Sequence, residues 1–435
     1  MAKLNAAIAR RGKLIWGGGC VLFVGALVVW RMTAMATPIV HIPAVLLPSP
    51  NAFDTYRAAS AQVKDRAAIV NAAYTPELAS RYRTPMLTLT DRVRIVDENR
   101  GAISTLRVGL HQQFASPPAS SQYNPGNTYN NYTFLAKLLG FESDLQATRG
   151  QWDEAGSSAI DAIEMGGQIP RGSALTGRIY GSLYQAIGRK RLWSCIDHLS
   201  ARATLQAARR MEKIRCSEYA YSDSLQEAKW AGQADLLLRF QANDLFIYHP
   251  QDADDNVKPL PGPVAHLLGS IYFSVHTKQQ TMRDFSDYMD ARIRRSHEPF
   301  TVSRPDVPAP HDLLIEWVMP FDQNETACTN QLCQNHLLEL SLALRAFRLE
   351  RGNYPEKLQL LVPRYIASIP TDPFGAGLPI KYRRNGRSYR LYSVGPDCKD
   401  DGGKMIDAGL SADQERSRHY VRPDSKGDIL AGRNF

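Results

Sequence analysis

The sequence lacks most of the signatures by which an enzyme is read. Its ten histidines are dispersed, with no His-x3-His pair and no Glu-bearing zinc helix, and there is no Gly-x-Ser-x-Gly elbow, phosphate-binding loop or dinucleotide fingerprint. Chemistry that depends on those local motifs is not indicated; acids brought together only by the fold would leave no such trace. Cysteine is scarce as well. Six residues, Cys20, Cys195, Cys216, Cys328, Cys333 and Cys398, are too few and too irregular for a disulfide framework. Cys328, Cys333 and His336 form a C-x4-C-x2-H group without the second ligand pair of a structural zinc site, so buried small residues or an opportunistic disulfide are expected there. A long basic block is absent too. The net charge of +9 is spread over small groups such as Arg202, Arg209, Arg210, Lys213 and Arg215, or Arg292, Arg294 and Arg295, without a recognisable nucleic-acid module. These read as solvated faces, and nucleic acid is not an expected partner. The acidic pair Asp153-Glu154 reads in the same way, as a solvated or weakly ion-paired helix surface.

What is present is an ordinary globular composition, 44% hydrophobic and 22% charged, over 435 residues, enough for two or three domains. At the N-terminus Lys3, Arg10, Arg11 and Lys13 precede an uncharged, mostly apolar run from Leu14 to Trp30. Its length is near the lower limit of the roughly 17 to 25 residues that cross a bilayer, and the basic flank is expected to stay cytoplasmic. The run exceeds a signal-peptide core and ends in an interfacial Trp, which favours a retained anchor. Ala34-Met35-Ala36 offers the alternative of a cleaved signal. Export of the body follows from either. Cys20 lacks the upstream Leu of a lipidation site, and the run lacks the Glu of a prepilin leader.

Residues 1–36 are thus read as basic flank and anchor. Residues 37–51, with Pro38, Pro43, Pro48 and Pro50, suit an extended tether. A helical body follows over 52–298. Helices are expected over Phe53–Ala73, Pro76–Tyr82 and Leu87–Leu106, a loop over Ser116–Asn131, helical hairpins over Tyr132–Ile214, continuing helix over Glu218–Ile247, a polar connection over Pro250–Pro263, and helix again over Val264–Arg295. Gly150-Gln151-Trp152-Asp153-Glu154-Ala155, followed by Ala159 and Ala162, matches part of a tetratricopeptide unit, with no second unit at that period. A degenerate repeat and a bare helical hairpin both remain open. Pro299, Pro305, Pro308 and Pro310 mark a linker over 299–320.

From Gln334 the pattern sharpens. Leu337, Leu340, Leu344 and Phe347 recur at helical spacing until Gly352, and a short helix is expected over Glu356–Leu361. Strands at Ile380–Arg383 and Ser388–Ser393 flank Asn385-Gly386, whose residue types suit the positive φ of a tight hairpin turn. Four pieces in order then carry a resemblance: Gly352 to Pro355 at the helix end, Asp372-Pro373-Phe374-Gly375, the Tyr392-Ser393-x-Gly395-x-Asp397 strand end, and an acidic-glycine loop through Asp400, Asp401, Gly402 and Gly403. Together they resemble the C-terminal domain of type II secretion major pseudopilins, over the last quarter of the chain, with Phe374 where that family has Trp. The same tail resembles one carried by large exported helical bacterial proteins.

The resemblance implies a small α+β pilin-like module over 321–435 and a loop that binds calcium, with Asp397, Asp400, Asp401 and Asp428 as hard oxygen ligands. A solvated acidic turn is the alternative, and Cys398 stands where Gly or a small polar residue would be more usual. The expected fold class is therefore mainly α: an N-terminal transmembrane helix, a helical-hairpin body and the pilin-like module. The expected location is a bacterial inner membrane, single-pass, with the body periplasmic. The leading functional expectation is a non-enzymatic envelope protein of interaction or structural type, with the membrane and envelope or secretion-system proteins as partners. An accessory component of a secretion or pilus-like machine, and an exported hydrolase with its site in the helical body, are the alternatives.

Overall fold

The computed structural model describes residues 35–71, 88–118, 125–243, 262–302, 307–318, 324–406 and 421–432, with Gly25, Ala26, Val29 and Met32 ahead of them. In chain order the helices among these residues are α1 (Ala52–Ala61), α2 (Arg66–Asn71), α3 (Leu89–Glu98), α4 (Arg100–Leu110), α5 (Pro125–Thr148), α6 (Trp152–Gln168), α7 (Ala174–Cys195), α8 (Ala201–Cys216), α9 (Tyr221–Ala242), α10 (Gly262–Val275), α11 (Lys278–Ser296), α12 (Leu313–Val318) and α13 (Asn324–Arg351). An antiparallel sheet of β1 (Lys381–Asn385), β2 (Ser388–Ser393) and β3 (Ile429–Leu430), in the order β1-β2-β3, completes a mainly helical fold. The expected span Leu14–Trp30 lies outside the described residues apart from Gly25, Ala26 and Val29, and Pro76–Tyr82 lies outside them entirely. No helix among the described residues is long and apolar enough to cross a membrane.

Several helices expected to be continuous are broken where a side chain takes over a backbone bond. Phe53–Ala73 becomes α1 and α2, separated at Asp65, whose φ of 49° is left-handed. Leu87–Leu106 becomes α3 and α4, parted at Asn99. Its Oδ1 accepts from Lys64 N (2.7 Å) and its Nδ2 donates to Ile95 O (2.8 Å), so the side chain competes with helical continuation. The expected loop Ser116–Asn131 is helix from Pro125 onward, a proline being tolerated at a first helical position. The expected linker 299–320 contains α12, whose first N–H groups are capped by Asp312 (Leu314 N, 2.9 Å; Ile315 N, 3.4 Å).

Packing divides the chain into two units. One comprises residues 44–228, 292–306 and 321–435; the other comprises residues up to 43, 229–291 and 307–320. The helices before residue 228 and the C-terminal segment from residue 321 therefore share a unit.

Within the first unit α6 separates two hydrophobic cores. Ala162, Met165 and Ile169 belong to a core built with α1 to α5 and Tyr184 of α7. Ala155, Ala159, Ile160 and Ile163 belong to a second, shared with α7, α8, α13 and the tail. The α6–α7 contact is close because glycine permits it. A Cβ on Gly188 would stand 2.3 Å from the Ala159 carbonyl oxygen, and one on Gly166 2.5 Å from that of Gly181. The helix α13 is buried on most of its circumference: Gln334, Leu337, Leu338, Leu340, Ser341, Leu342, Ala343 and Leu344 are all inaccessible. At its end Gly352 takes φ 81°, the left-handed stop expected from its position. The expected helix Glu356–Leu361 is a 3-10 turn over Leu358–Leu361. The hairpin forms one residue further along than expected: Asn385 ends β1 opposite Ser388, so the turn is centred on Gly386 (φ 58°) and Arg387, with positive φ at the glycine and not at Asn385.

Candidate functional site

The residues that carry the pilin resemblance hold one another. The buried Asp372 carboxylate accepts from Ser393 Oγ (2.6 Å), Phe374 N (3.0 Å) and Val394 N (2.9 Å), so the Asp-Pro-Phe-Gly turn clasps the end of β2. Burial pushes the Asp372 pKa up, while those three donors pull it back down. Gly395 follows at φ 70°, and a Cβ there would lie 2.3 Å from the Gly427 carbonyl oxygen. The neighbouring Asp397 accepts from Gly427 N (3.3 Å) and Lys399 N (3.2 Å). Asp428, fully buried, accepts from Gly403 N (2.6 Å) and Asp401 N (3.4 Å).

Asp400 accepts from Tyr392 Oη (2.9 Å) and Gly402 N (3.1 Å), and pairs with Lys381 Nζ (3.1 Å). The Lys381 ammonium and these donors hold Asp400 below the usual carboxylate range. Burial, with the like charges of Asp400 and Asp401 adding to it, pushes Asp428 up. The four expected ligands are thus brought to one loop. Asp397, Asp400 and Asp428 accept from the loop's own N–H groups, Asp400 also pairs with a lysine, and Asp401 is exposed. Among the described residues no group of three or more His, Cys, Asp or Glu side chains is arranged to hold a metal ion. Cys398 adopts φ 56°, a left-handed conformation in which glycine is the more usual residue.

Cys328, Cys333 and His336 lie along α13 as buried residues. Cys328 and Cys333 are free thiols, with burial pushing Cys328 up to about 11. His336 Nδ1–H donates to the Thr371 carbonyl at 2.9 Å, and burial brings its pKa down to about 4, so it is neutral across the physiological range. The group is part of the core, as its incomplete spacing leads one to expect.

Motif reading did not expose a polar layer between α7 and α13. Arg178, Gln185 and Arg189 fall on one face of α7, and Gln331 and Asn335, one turn apart, face them from α13. Arg189 donates through Nη1 to Asn335 Oδ1 (3.1 Å) and through Nη2 to Gln331 Oε1 (2.7 Å). The amide nitrogens of Gln331 and Asn335 each donate to Gln185 Oε1 at 2.7 Å. The result is a closed guanidinium–amide ring inside the core. Arg178 donates to Ser224 Oγ (3.0 Å) and to the Tyr219 carbonyl.

Glu218 is the nearby acid, and burial pushes it up to about 7 against the pull of the two arginines. The cavity that Arg178, Gln185, Glu218 and Asn335 help to line holds about 10 Å³, room for one water and nothing larger. The sequence signal, visible in retrospect, is the run of amides Asn330, Gln331, Gln334 and Asn335 just ahead of the leucine-rich part of α13. A second bridge joins α8 to α13. Arg215 Nε donates to both oxygens of the buried Glu339 (2.9 and 3.2 Å).

Acids elsewhere are similarly engaged. A cleft of about 390 Å³ beside α3, α4 and α5 is lined by Asp97 and Glu142, and each is paired with arginine, at 2.7 Å to Arg100 and 2.5 Å to Arg107. Arg107 and Arg210 together bracket Asp161, both at 2.8 Å. Asp153, expected on a solvated surface, accepts from Ser200 N (2.8 Å) and Ser200 Oγ (2.6 Å) and so fixes the start of α8. In this group Asp97, Glu142, Asp161 and Asp153 each have an arginine or serine partner from another helix or its cap, which ties the helices together. No family model, no curated protein and no solved structure matches the chain.

Proposed function

We propose that the protein is a membrane-anchored, extracytoplasmic protein of interaction or structural type. In this reading the pilin-like tail serves as an integral wall of a helical body. The observation that carries the reading is the fastening of α13: a buried guanidinium–amide ring and a buried ion pair tie it to α7 and α8, and its apolar residues fill their core. The engagement of the cleft carboxylates by arginine supports a non-catalytic body. The basic flank and uncharged run before Trp30 support the anchor. Envelope proteins, including secretion components, are the partner class.

The test is membrane fractionation with protease access to a C-terminal tag. The protein is expected to resist alkaline carbonate extraction, with the tag digested in spheroplasts and spared in intact cells. A soluble protein, or a tag protected in spheroplasts, would overturn the reading. Crosslinking in intact cells then identifies partners. Recovery of secretion or pilus components would move the accessory-component alternative to the front. Calcium is left to titration: a saturable rise in melting temperature that disappears in D401N/D428N would add the ion to the reading, and no rise leaves the loop closed by its own donors.

A further inference from the structure

The helix α10 carries no charged residue anywhere along its length. Its apolar side chains divide into two sets. Ala265 and Phe273 are buried, whereas Val264 (43% exposed), Leu267 (61%), Leu268 (37%), Ile271 (57%) and Val275 (74%) face outward. The exposed set recurs at i, i+3, i+4, i+7 and i+11, which gathers all of it onto one stripe of the helix. Exposed His266, Ser270 and Ser274 run along one side of that stripe. A stripe of this kind, with no charge interrupting it, marks a contact with something apolar.

The chain supplies the identity of that contact. Gln279, in the first turn of α11 just beyond the C-terminal end of α10, donates from Nε2 to the Ala36 carbonyl at 3.2 Å. Ala36 stands shortly after the uncharged run ending at Trp30, and Val29 and Met32 in that stretch are themselves exposed. Under the anchored reading, on which this inference rests, the run enters the bilayer, and the hydrogen bond holds one end of α10 at the membrane surface. At about 1.5 Å per residue the helix reaches about 21 Å, short of the roughly 30 Å hydrocarbon core, so it cannot cross. The stripe also offers none of the Tyr, Trp or Arg side chains that anchor protein interfaces.

We infer that α10 lies along the membrane–water interface. Its five exposed aliphatic side chains are immersed among lipid, and His266, Ser270 and Ser274 lie at the level of the water. The helix is then a second point of attachment, which fixes the orientation of its unit on the membrane as a single span cannot.

The experiment uses the full chain reconstituted in vesicles of phosphatidylethanolamine and phosphatidylglycerol. A benzophenone-bearing amino acid replaces Leu267, Ile271 or, as a control on the exposed face of α8, Arg209. Flotation separates vesicle-bound protein, and mass spectrometry reads the photoadducts. Lipid adducts are expected at 267 and 271 and not at 209. Protein that floats without lipid adducts at 267 and 271, or that crosslinks there to a second copy, overturns the interfacial helix and leaves the anchor standing. Protein that does not float overturns both.

Discussion

Replacing Arg215 with Met should destabilise the protein strongly above neutral pH and only weakly in mild acid. Glu339 is buried on α13, and its carboxylate is bound at both oxygens by Arg215, which also reaches Glu212 and Ser368. Burial pushes the Glu339 pKa from 4.5 up to about 7, with Arg215 pulling it the other way. Because the folded value exceeds the unfolded one, the folded state binds the proton more tightly. The contribution of Glu339 to stability is therefore greatest below pH 4.5 and is lost as pH rises from 4.5 through about 7. At ~1.4 kcal/mol per pKa unit that loss is about 3 kcal/mol.

Removing Arg215 takes away the opposing charge, so the carboxyl is held protonated to a still higher pH. At about pH 8 the variant must fold with either an unpaired buried carboxylate or a proton taken up from dilute solution, a cost of about 3–5 kcal/mol. At about pH 5.5 the folded carboxyl is already neutral, and most of that cost vanishes. Urea unfolding of the purified chain, followed by circular dichroism at the two pH values, measures the difference. R215M/E339Q should recover most of the lost stability at the higher pH. An equal cost for R215M at both pH values, or a double variant as unstable as R215M alone, would refute the argument.

Three further outcomes follow from packing. G188A sets a Cβ against the Ala159 carbonyl and should lower stability by about 1–3 kcal/mol in thermal unfolding, since a backbone atom cannot swing aside. D372N replaces an oxygen acceptor by an amide donor facing the Val394 N–H or the Ser393 hydroxyl. It should cost about 1–3 kcal/mol, with faster hydrogen exchange confined to residues around 372–394. Cys328 and Cys195, buried and pushed up to about 11, should resist maleimide until the protein is denatured, while the exposed Cys216 is labelled at once; rapid native labelling of Cys328 would contradict the packing of α13.

Features specified by residues adjacent in the chain were readable in advance. The Gly352 stop and the Ser388–Ser393 strand need only local backbone preferences and stand where those preferences put them, and the hairpin turn falls one residue past Asn385-Gly386, on Gly386-Arg387. Breaks at Asp65 and Asn99 were not readable. Asn99 trades its side-chain bonds with Lys64, 35 residues away, and no local window contains that pairing. The acidic loop was legible as a cluster, but not the fact that its carboxylates accept from Gly402, Gly403 and Gly427 N–H groups. The ring of Arg189, Gln185, Gln331 and Asn335 was hidden for the same reason, its members being drawn from two helices far apart in sequence.

That distance has a consequence for how the protein is made. A chain made from its N-terminus delivers α6, α7 and α8 long before α13, and Arg189 must wait 146 residues for Asn335. Until then the apolar trough, chiefly of alanine and isoleucine side chains, that α13 fills, and the charge of a guanidinium meant for amides, stand open to water and to neighbouring chains. Completion is set by the arrival of the last quarter of the polypeptide, the slow, non-local kind of closure. A nonsense truncation before residue 324 should thus yield a half-built body vulnerable to proteases, and the time taken to deliver the last quarter of the chain becomes part of the folding pathway.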